Sequence, residues 1–329
     1  MRPSAAIIGW GMAVPQLVVT NDDLAQRMET SDIWIRSRTG IAERRIAEPH
    51  EYTSVLATRA AQQALERAAI DPQSIDLIML ATCTPDRLFP ATACTIQANL
   101  GLTRAAAFDL AAACSGFLYG LSVAAGLIQG GAHRTILLVA ADLFSHILNW
   151  NDRSTAVLFG DGAGAVVLQA HFGPLGVLSS VLGASGADEA IMMMEAGGTR
   201  LPLTPELLHD ERRFFSMNGR EVFRHAIREM GTSALEAVAA AGLTTAAIDL
   251  VVPHQANTRI IEALARRLNI PLERVFINIE RYGNTSAASV PIALCEAADA
   301  GRLRHGDTVL LTAFGGGLTW ASTVLRWGS

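Results

Sequence analysis

Charge is scarce in this 329-residue sequence: 17% of residues are charged, while half are apolar. Disordered chains show the reverse balance, so a folded, well-buried chain is expected. Basic residues are also in deficit, 26 against 31 acidic, for a net charge of -5. That argues against nucleic acid as the main partner, although a local basic patch can survive inside an acidic total. No charge-free run of 18 apolar residues occurs, and no membrane span is expected. The opening MRPSAAIIGWGMAVP has one Arg before a short apolar stretch, which reads as a first buried strand and turn rather than a secretory signal. Cysteine is limited to positions 83, 94, 114 and 295, with no CxxC or Cys/His spacing, so no metal site is expected. The four read as reduced thiols of a cytoplasmic protein, each by default a small buried hydrophobe.

Internal repetition is present. Ile75-Asp76-Leu77 opens the apolar run IDLIMLAT, and Ile248-Asp249-Leu250 opens IDLVVPHQ, an offset of 248 − 75 = 173. TILLVA begins at Thr135 and TVLLTA at Thr308, again 173 apart. Two strand-like runs sharing one offset predict two related α/β halves, residues 1–172 and 173–329. Continuous apolar runs suit strands covered on both faces, hence mixed, mostly parallel sheets with helices around them. Segments 108–131 and 281–301 lie between the matched strands, and the first places Phe117, Leu118, Leu121, Val123, Leu127 and Ile128 around a whole helix. Such a helix is a buried one, and two of them predict a pair of central helices.

Cys114 falls where FDLAAA turns into the first of these helices, beside the small residues Ala113, Ser115 and Gly116. A helix start carries partial positive charge, which favours a thiolate and suits a nucleophile. An inert core cysteine fits the same context. His254, in PHQAN, follows the strand IDLVV, and Asn284, in GNTSAAS, precedes the second central helix. Alone, the His reads as a satisfied or solvated side chain and the Asn as an N-cap. The offset pairs Asn284 with position 111 and sets both residues at strand and helix ends facing Cys114. Gly9-Trp10-Gly11 lacks the third glycine of a dinucleotide fingerprint, and FGDGAGAVVL reads as a turn into a strand.

TSDIWIRSRTGI (30–41), the cysteine segment, FGDGAGAVVL (159–168), MNGREVF (217–223), VPHQAN, GNTSAASVP and AFGGGLTW (313–320) occur in one order from the first strand to the C-terminus. On these motifs the sequence resembles the β-ketoacyl-acyl-carrier-protein synthase III family, initiating condensing enzymes of the thiolase fold. Elongating synthases and thiolases are expected to show a second His where Asn284 stands. The resemblance implies a decarboxylative condensation of an acyl-CoA primer with malonyl-loaded acyl carrier protein through an acyl-cysteine on Cys114. His254 and Asn284 would hold the malonyl thioester carbonyl, the N–H groups of Cys114 and Gly316 would form the oxyanion hole, and Phe314 would disfavour the malonyl carboxylate. Acyl-CoA is then a substrate, and no cofactor is implied.

Further positions carry over one at a time. Thr30, Trp34, Arg38, Arg153 and Asn257 match coenzyme A contacts, Trp34 and Arg38 lying four apart on one helical face, where a plain surface contact is the alternative. Phe89 resembles a residue that crosses a two-fold interface to close the partner's acyl pocket, which implies a homodimer. Arg259, Arg266 and Arg267 form one row and Arg220, Arg224 and Arg228 another. Such rows are commonly solvated faces; opposite an acidic carrier, Arg224, Arg259, Arg266 and Arg267 are read as its docking patch. Arg220 receives no role, and segment 190–215 is read as the variable pocket wall. Two rivals remain: an acyltransferase or condensing enzyme of specialised metabolism using the same cysteine, and an inactive acyl-binding partner, whose signature would be a missing Cys114.

Overall fold

TILLVAADL forms a strand in which all nine residues are buried. In this computed structural model, which describes residues 2–328, the strands are β1 (Ser4–Ala13), β2 (Val18–Thr20), β3 (Glu43–Arg45), β4 (Leu77–Ala81), β5 (Ala106–Leu110), β6 (Thr135–Leu143), β7 (Asp161–His171), β8 (Gly176–Ala184), β9 (Met192–Met194), β10 (Phe215–Met217), β11 (Leu250–Pro253), β12 (Thr308–Gly315) and β13 (Thr319–Arg326). The α-helices are α1 (Asn21–Ala25), α2 (Asp32–Thr39), α3 (Thr53–Ala68), α4 (Thr92–Asn99), α5 (Gly116–Gln129), α6 (Arg153–Ala156), α7 (Gly219–Ala240), α8 (Thr258–Leu268), α9 (Ile279–Tyr282) and α10 (Ser289–Asp299).

Two large sheets organise the molecule, in the orders β1-β7-β6-β4-β5 and β11-β12-β13-β8. The expectation of mostly parallel sheets is corrected. β4 runs parallel to β5 and β6, and β11 to β12, but β1–β7, β6–β7, β12–β13 and β13–β8 are antiparallel. β7 and β13 are covered on both faces, so their composition follows burial and carries no record of direction.

α5 and α10 contribute to one core: Phe117, Leu118 and Leu121 cluster with Val290, Ala293 and Leu294, all at 0% exposure. α5 is not apolar-covered all round, because Val123 is 38% exposed. Short 3-10 turns precede the two helices, Ala113–Ser115 before α5 and Ser286–Ala288 before α10. Their starts differ by 286 − 113 = 173, and those of α5 and α10 by 289 − 116 = 173. Ala113 and Ser286 share the left-handed backbone, at φ 47° and 52°. Gly9 and Gly11 serve packing: a Cβ on either would lie 2.2 Å from a carbonyl oxygen of α3, Ala64 and Ala60 respectively.

Candidate active site

Cys114 is presented on the 3-10 turn leading into α5 and is 5% exposed. β12 ends directly beneath it, where a Cβ on Gly315 would stand 2.5 Å from the Cys114 nitrogen. Its Sγ lies 3.4 Å from Ser286 Oγ. Burial works against the thiolate that a helix start favours: it pushes the thiol from 9.0 up to about 12, against a lowering hydrogen bond with Ser286. A helix terminus is worth about 0.3–1 kcal/mol, under one pKa unit in most settings, and desolvation exceeds it. The resting group is the thiol.

His254 follows β11, with its backbone N–H donated to the Thr312 carbonyl of β12 at 2.8 Å. Its Nδ1 lies 2.5 Å from Ser289 Oγ at the start of α10. That oxygen also accepts the Gln255 backbone N–H at 3.3 Å, and the hydroxyl meets no other acceptor among the described residues, so its proton is directed at Nδ1. The imidazole therefore carries its hydrogen on Nε2, as a donor. Burial lowers its pKa to about 3, so the ring is neutral. Asn284 is oriented in a similar way: its Oδ1 accepts the Ser286 backbone N–H at 2.8 Å, which leaves the Nδ2 donors free to project.

Cys114, His254, Asn284, Phe314 and Gly316 all line one cavity of about 450 Å³, together with Arg38 and Asn257. One wall is aromatic. Phe144 and Phe159 stack with centroids 4.3 Å apart, and Phe215 meets each edge-on at 5.2 Å. Segment 190–215 contributes β9 and the first residue of β10, placing Met192, Met193, Met194 and Phe215 against the cavity. Methionine walls adapt to differently shaped apolar chains.

Thr30, Trp34, Arg153 and Phe89 lie outside this lining. Trp34 is sandwiched, with the guanidinium of Arg38 4.5 Å from its ring centroid and that of Arg153 at 4.8 Å. Arg153 also donates to the Glu29 carbonyl at 2.6 Å, beside Thr30, whose buried Oγ1 has no hydrogen-bond partner among the described residues. Asn257, at the cavity mouth, caps α8 by accepting the Arg259 N–H, and its Nδ2 donates to the Arg38 carbonyl, so both ends of the amide have structural work. Phe89 is 87% exposed, next to Leu88 at 92%.

Arg259, Arg266 and Arg267 are exposed on α8. Arg259 donates to the Ser37 carbonyl and Arg267 to the Thr232 hydroxyl. Arg224 on α7 is ion-paired with Glu221, while Arg220 is exposed one turn earlier. The default of buried cysteines fails for two residues: Cys83 and Cys94 are exposed, and Cys83 lines the cavity.

Sequence reasoning misses Ser289, Ser286, the buried Asp142 and the three clustered phenylalanines. Ser286 and Ser289 lie inside the GNTSAAS motif, but their partners, Cys114 and His254, are 172 and 35 residues away. No periodicity records such contacts.

Residues 108–186 match the family described as 3-oxoacyl-[acyl-carrier-protein] synthase III, and residues 238–327 match its C-terminal family. The chain is 65% identical over 327 residues to the β-ketoacyl-[acyl-carrier-protein] synthase III of Roseiflexus sp. (strain RS-1), covering 99% of each chain. Among solved structures it is similar to 3-oxoacyl-[acyl-carrier-protein] synthase III of Aquifex aeolicus VF5, with TM-score 0.92, 46% identity, and 98% and 100% of the two chains covered. It is also similar to the priming β-ketosynthase of the R1128 polyketide biosynthetic pathway, with TM-score 0.93, 35% identity, and 100% and 97% covered.

Proposed function

The chain belongs to the β-ketoacyl-acyl-carrier-protein synthase III family, and from that premise we propose that it condenses an acyl-CoA primer with malonyl-loaded acyl carrier protein to start fatty-acid chains. The observation that carries this reading is the convergence of one buried thiol with two neutral N–H donors, His254 Nε2 and Asn284 Nδ2, on one apolar cavity. Cys114 sulfur attacks the acyl-CoA carbonyl, and the N–H groups of Cys114 and Gly316 hold the oxyanion. Each such donor is worth about 2.7–4 kcal/mol in the transition state. With the primer on Cys114, the malonyl thioester carbonyl rests on His254 and Asn284. Phe314, buried and apolar, offers its carboxylate no partner, which favours loss of carbon dioxide. The resulting enolate carbon attacks the acyl-Cys114 carbonyl. Neutral donors suit this task, because they gain strength as charge develops and form no ion pair with the carboxylate beforehand.

The coenzyme A portion is assigned to the mouth at Thr30, Trp34, Arg38, Arg153 and Asn257, and the acidic carrier to Arg224, Arg259, Arg266 and Arg267. A homodimer is part of the reading: Leu88 and Phe89 form an exposed apolar tip, and β5 has a strand on one side alone among the described residues. Pairing would cover that edge and bring Phe89 to the partner's primer pocket. Residues 1–172 and 173–329 are read as two related halves, the first supplying Cys114 and the second His254 and Asn284. No helix among the described residues is long and apolar enough to cross a membrane, and the cytoplasm is the proposed location.

The test measures acyl-enzyme by intact mass and carbon dioxide release separately. His254→Ala and Asn284→Ala should lose decarboxylation and condensation yet still accept an acyl group on Cys114. Cys114→Ala should form no acyl-enzyme and retain residual decarboxylation. A His254→Ala enzyme that decarboxylates malonyl but cannot be acylated would reverse the assigned roles.

A further inference from the structure

Two donors can share one thioester oxygen only if the elements that carry them keep a fixed spacing. His254 follows β11, whereas Asn284 is paired with the other half of the molecule. Its N–H donates to the Leu158 carbonyl at 2.8 Å, and its carbonyl accepts the Gly160 N–H at 3.1 Å. Between the two donors runs segment 275–283, which starts as a short parallel partner of β11. Val275 bridges Val251, and the Phe276 N–H donates to the Val251 carbonyl at 2.9 Å. β11 ends at Pro253, where the chain turns to present His254.

Beyond that point a side chain continues the pairing. Gln255 is 1% exposed. Its Nε2 donates to the Phe276 carbonyl at 3.1 Å, and its Oε1 accepts the Asn278 N–H at 3.0 Å. Accepting from one residue and donating to the residue two before it is what a peptide group does in a parallel ladder. The second Nε2 hydrogen reaches back to the Pro253 carbonyl at 2.9 Å. No flipped amide fits, because two carbonyls and one N–H face it. Three hydrogen bonds thus tie the end of β11 to the segment that leads to Asn284.

α10 closes the frame. Asn278, 2% exposed, donates its Nδ2 to Glu296 Oε2 at 2.8 Å. Glu296 Oε1 accepts the Tyr282 hydroxyl at 2.6 Å, and Arg281 meets the two oxygens at 2.9 and 2.8 Å. Tyr282 lies two residues before Asn284, across Gly283 at φ 63°, where a Cβ would stand 2.9 Å from the Leu158 carbonyl oxygen. Ser289, the partner of His254 Nδ1, is the first residue of α10. One helix therefore holds the imidazole at its start and the approach to Asn284 about two turns later.

Gln255, Asn278, Tyr282 and Glu296 are all absent from the cavity lining, so they act on the chemistry only through the residues they hold. We propose that Gln255 and Glu296, joined by Asn278, are positioning residues for the condensation step: they keep His254 and Asn284 at the spacing at which both donors meet one thioester oxygen. Buried hydrogen bonds are directional and costly to leave unmade, so a frame saturated in this way favours a single arrangement. Cys114 sits outside it, on the turn into α5 above Gly315 of β12, and its acylation should be nearly indifferent to the frame. The proposal rests on His254 and Asn284 as the donor pair of the proposed function.

The test uses the full chain. In one aliquot acyl-CoA titrates Cys114 by intact mass, which counts folded sites; in another, carbon dioxide release from malonyl-carrier is measured and expressed per titrated site. Gln255→Met keeps the length of the side chain and removes all three hydrogen bonds. Its kcat for decarboxylation should fall about 10- to 100-fold, the range for a misplaced group. KM for malonyl-carrier and the rate of acylation should stay within about threefold of wild type, as for an interaction used only in the transition state. Tyr282→Phe removes one bond from the Glu296 arm and should show the same split at about 3- to 10-fold. That variant decides the matter if Gln255→Met fails to fold. Decarboxylation per site equal to wild type in either variant overturns the proposal, as does a fall in acylation as large as the fall in decarboxylation, or a loss confined to KM. Undiminished decarboxylation in His254→Ala and Asn284→Ala would instead refute the donor pair itself.

Discussion

His254 Nδ1 and Ser289 Oγ stand 2.5 Å apart at the meeting of β11 and α10, and this contact decides which imidazole nitrogen faces the substrate. Ser289→Ala should leave the tautomer unspecified and the ring unanchored. Losing a buried hydrogen bond costs about 1–3 kcal/mol, so decarboxylation should fall on the order of 5- to 100-fold. Acylation of Cys114 should change by less than about threefold. Carbon dioxide release and acyl-enzyme mass check the split, and equal losses in both would show that Ser289 serves folding alone.

His254 also predicts how stability depends on acid. Its pKa is about 3 when folded, against 6.5 for an ordinary histidine. Between those values the unfolded chain binds a proton that the native chain does not, so this contribution is complete above pH 6.5 and is lost as pH falls towards 3. At pH 5 the loss is about 2 kcal/mol at 1.36 kcal/mol per unit. The raised carboxyls of Asp142 and Asp161 act in the opposite sense. Comparison with His254→Gln isolates the imidazole: its urea midpoint should fall less than that of the wild type between pH 7 and 5. Identical slopes would mean that the ring is already charged or exposed.

The repeat makes much of this readable. Equal offsets locate β4 and β11, β6 and β12, and the two central helices, so the element bearing Cys114 stands out in the amino-acid sequence itself. Strand direction is not legible, because β7, antiparallel to both its neighbours, is buried over its first eight residues just as β6, which runs parallel to β4, is throughout. Asp142 is invisible for another reason. It occupies the repeat position of Gly315, since 315 − 142 = 173, yet the two do unlike work. Gly315 leaves the Cys114 N–H uncrowded, while Asp142 fills the matching place at the Ala287 N–H with its own carboxylate. The repeat conveys placement, and divergence between its copies conveys chemistry that one sequence cannot rank.

Every basic side chain other than histidine in this chain is arginine, and the α8 face is where the carrier is assigned. Arg267 is partly engaged by Thr232, whereas Arg266 is exposed in the same last turn. Arg266→Glu with Arg267→Glu should raise KM for malonyl-carrier about tenfold and leave acylation from coenzyme A within about twofold, the range for a few exposed charge contacts. Added salt should weaken the wild type in the same direction, because exposed charges are screened beyond about 8–10 Å. Steady-state kinetics with both substrates at two ionic strengths checks this, and equal losses for the two substrates would place the carrier elsewhere.

The four thiols form a built-in reporter of the proposed dimer. Cys295 is 0% exposed and should stay unlabelled in the native protein. Cys83 and Cys114 share the cavity, so acyl-CoA should suppress alkylation of both, and burial raises the Cys114 thiol, so its alkylation should climb steadily with pH above 7. Cys94 is different: it is exposed on α4, with its sulfur 4.0 Å from the Ala107 carbonyl of the edge strand β5. If two copies join along β5 and exchange their Phe89 tips, Cys94 is covered in the wild type and labels slowly. Phe89→Asp places a charge on an 87%-exposed residue, harmless in a single chain and costly in an apolar interface. That variant should elute as a monomer, label Cys94 at least tenfold faster, and keep the acyl-CoA protection of Cys114, since Phe89 is absent from its own chain's cavity. Rapid Cys94 labelling in a wild type of monomeric size would remove β5 from the interface and leave the Leu88–Phe89 tip without a partner.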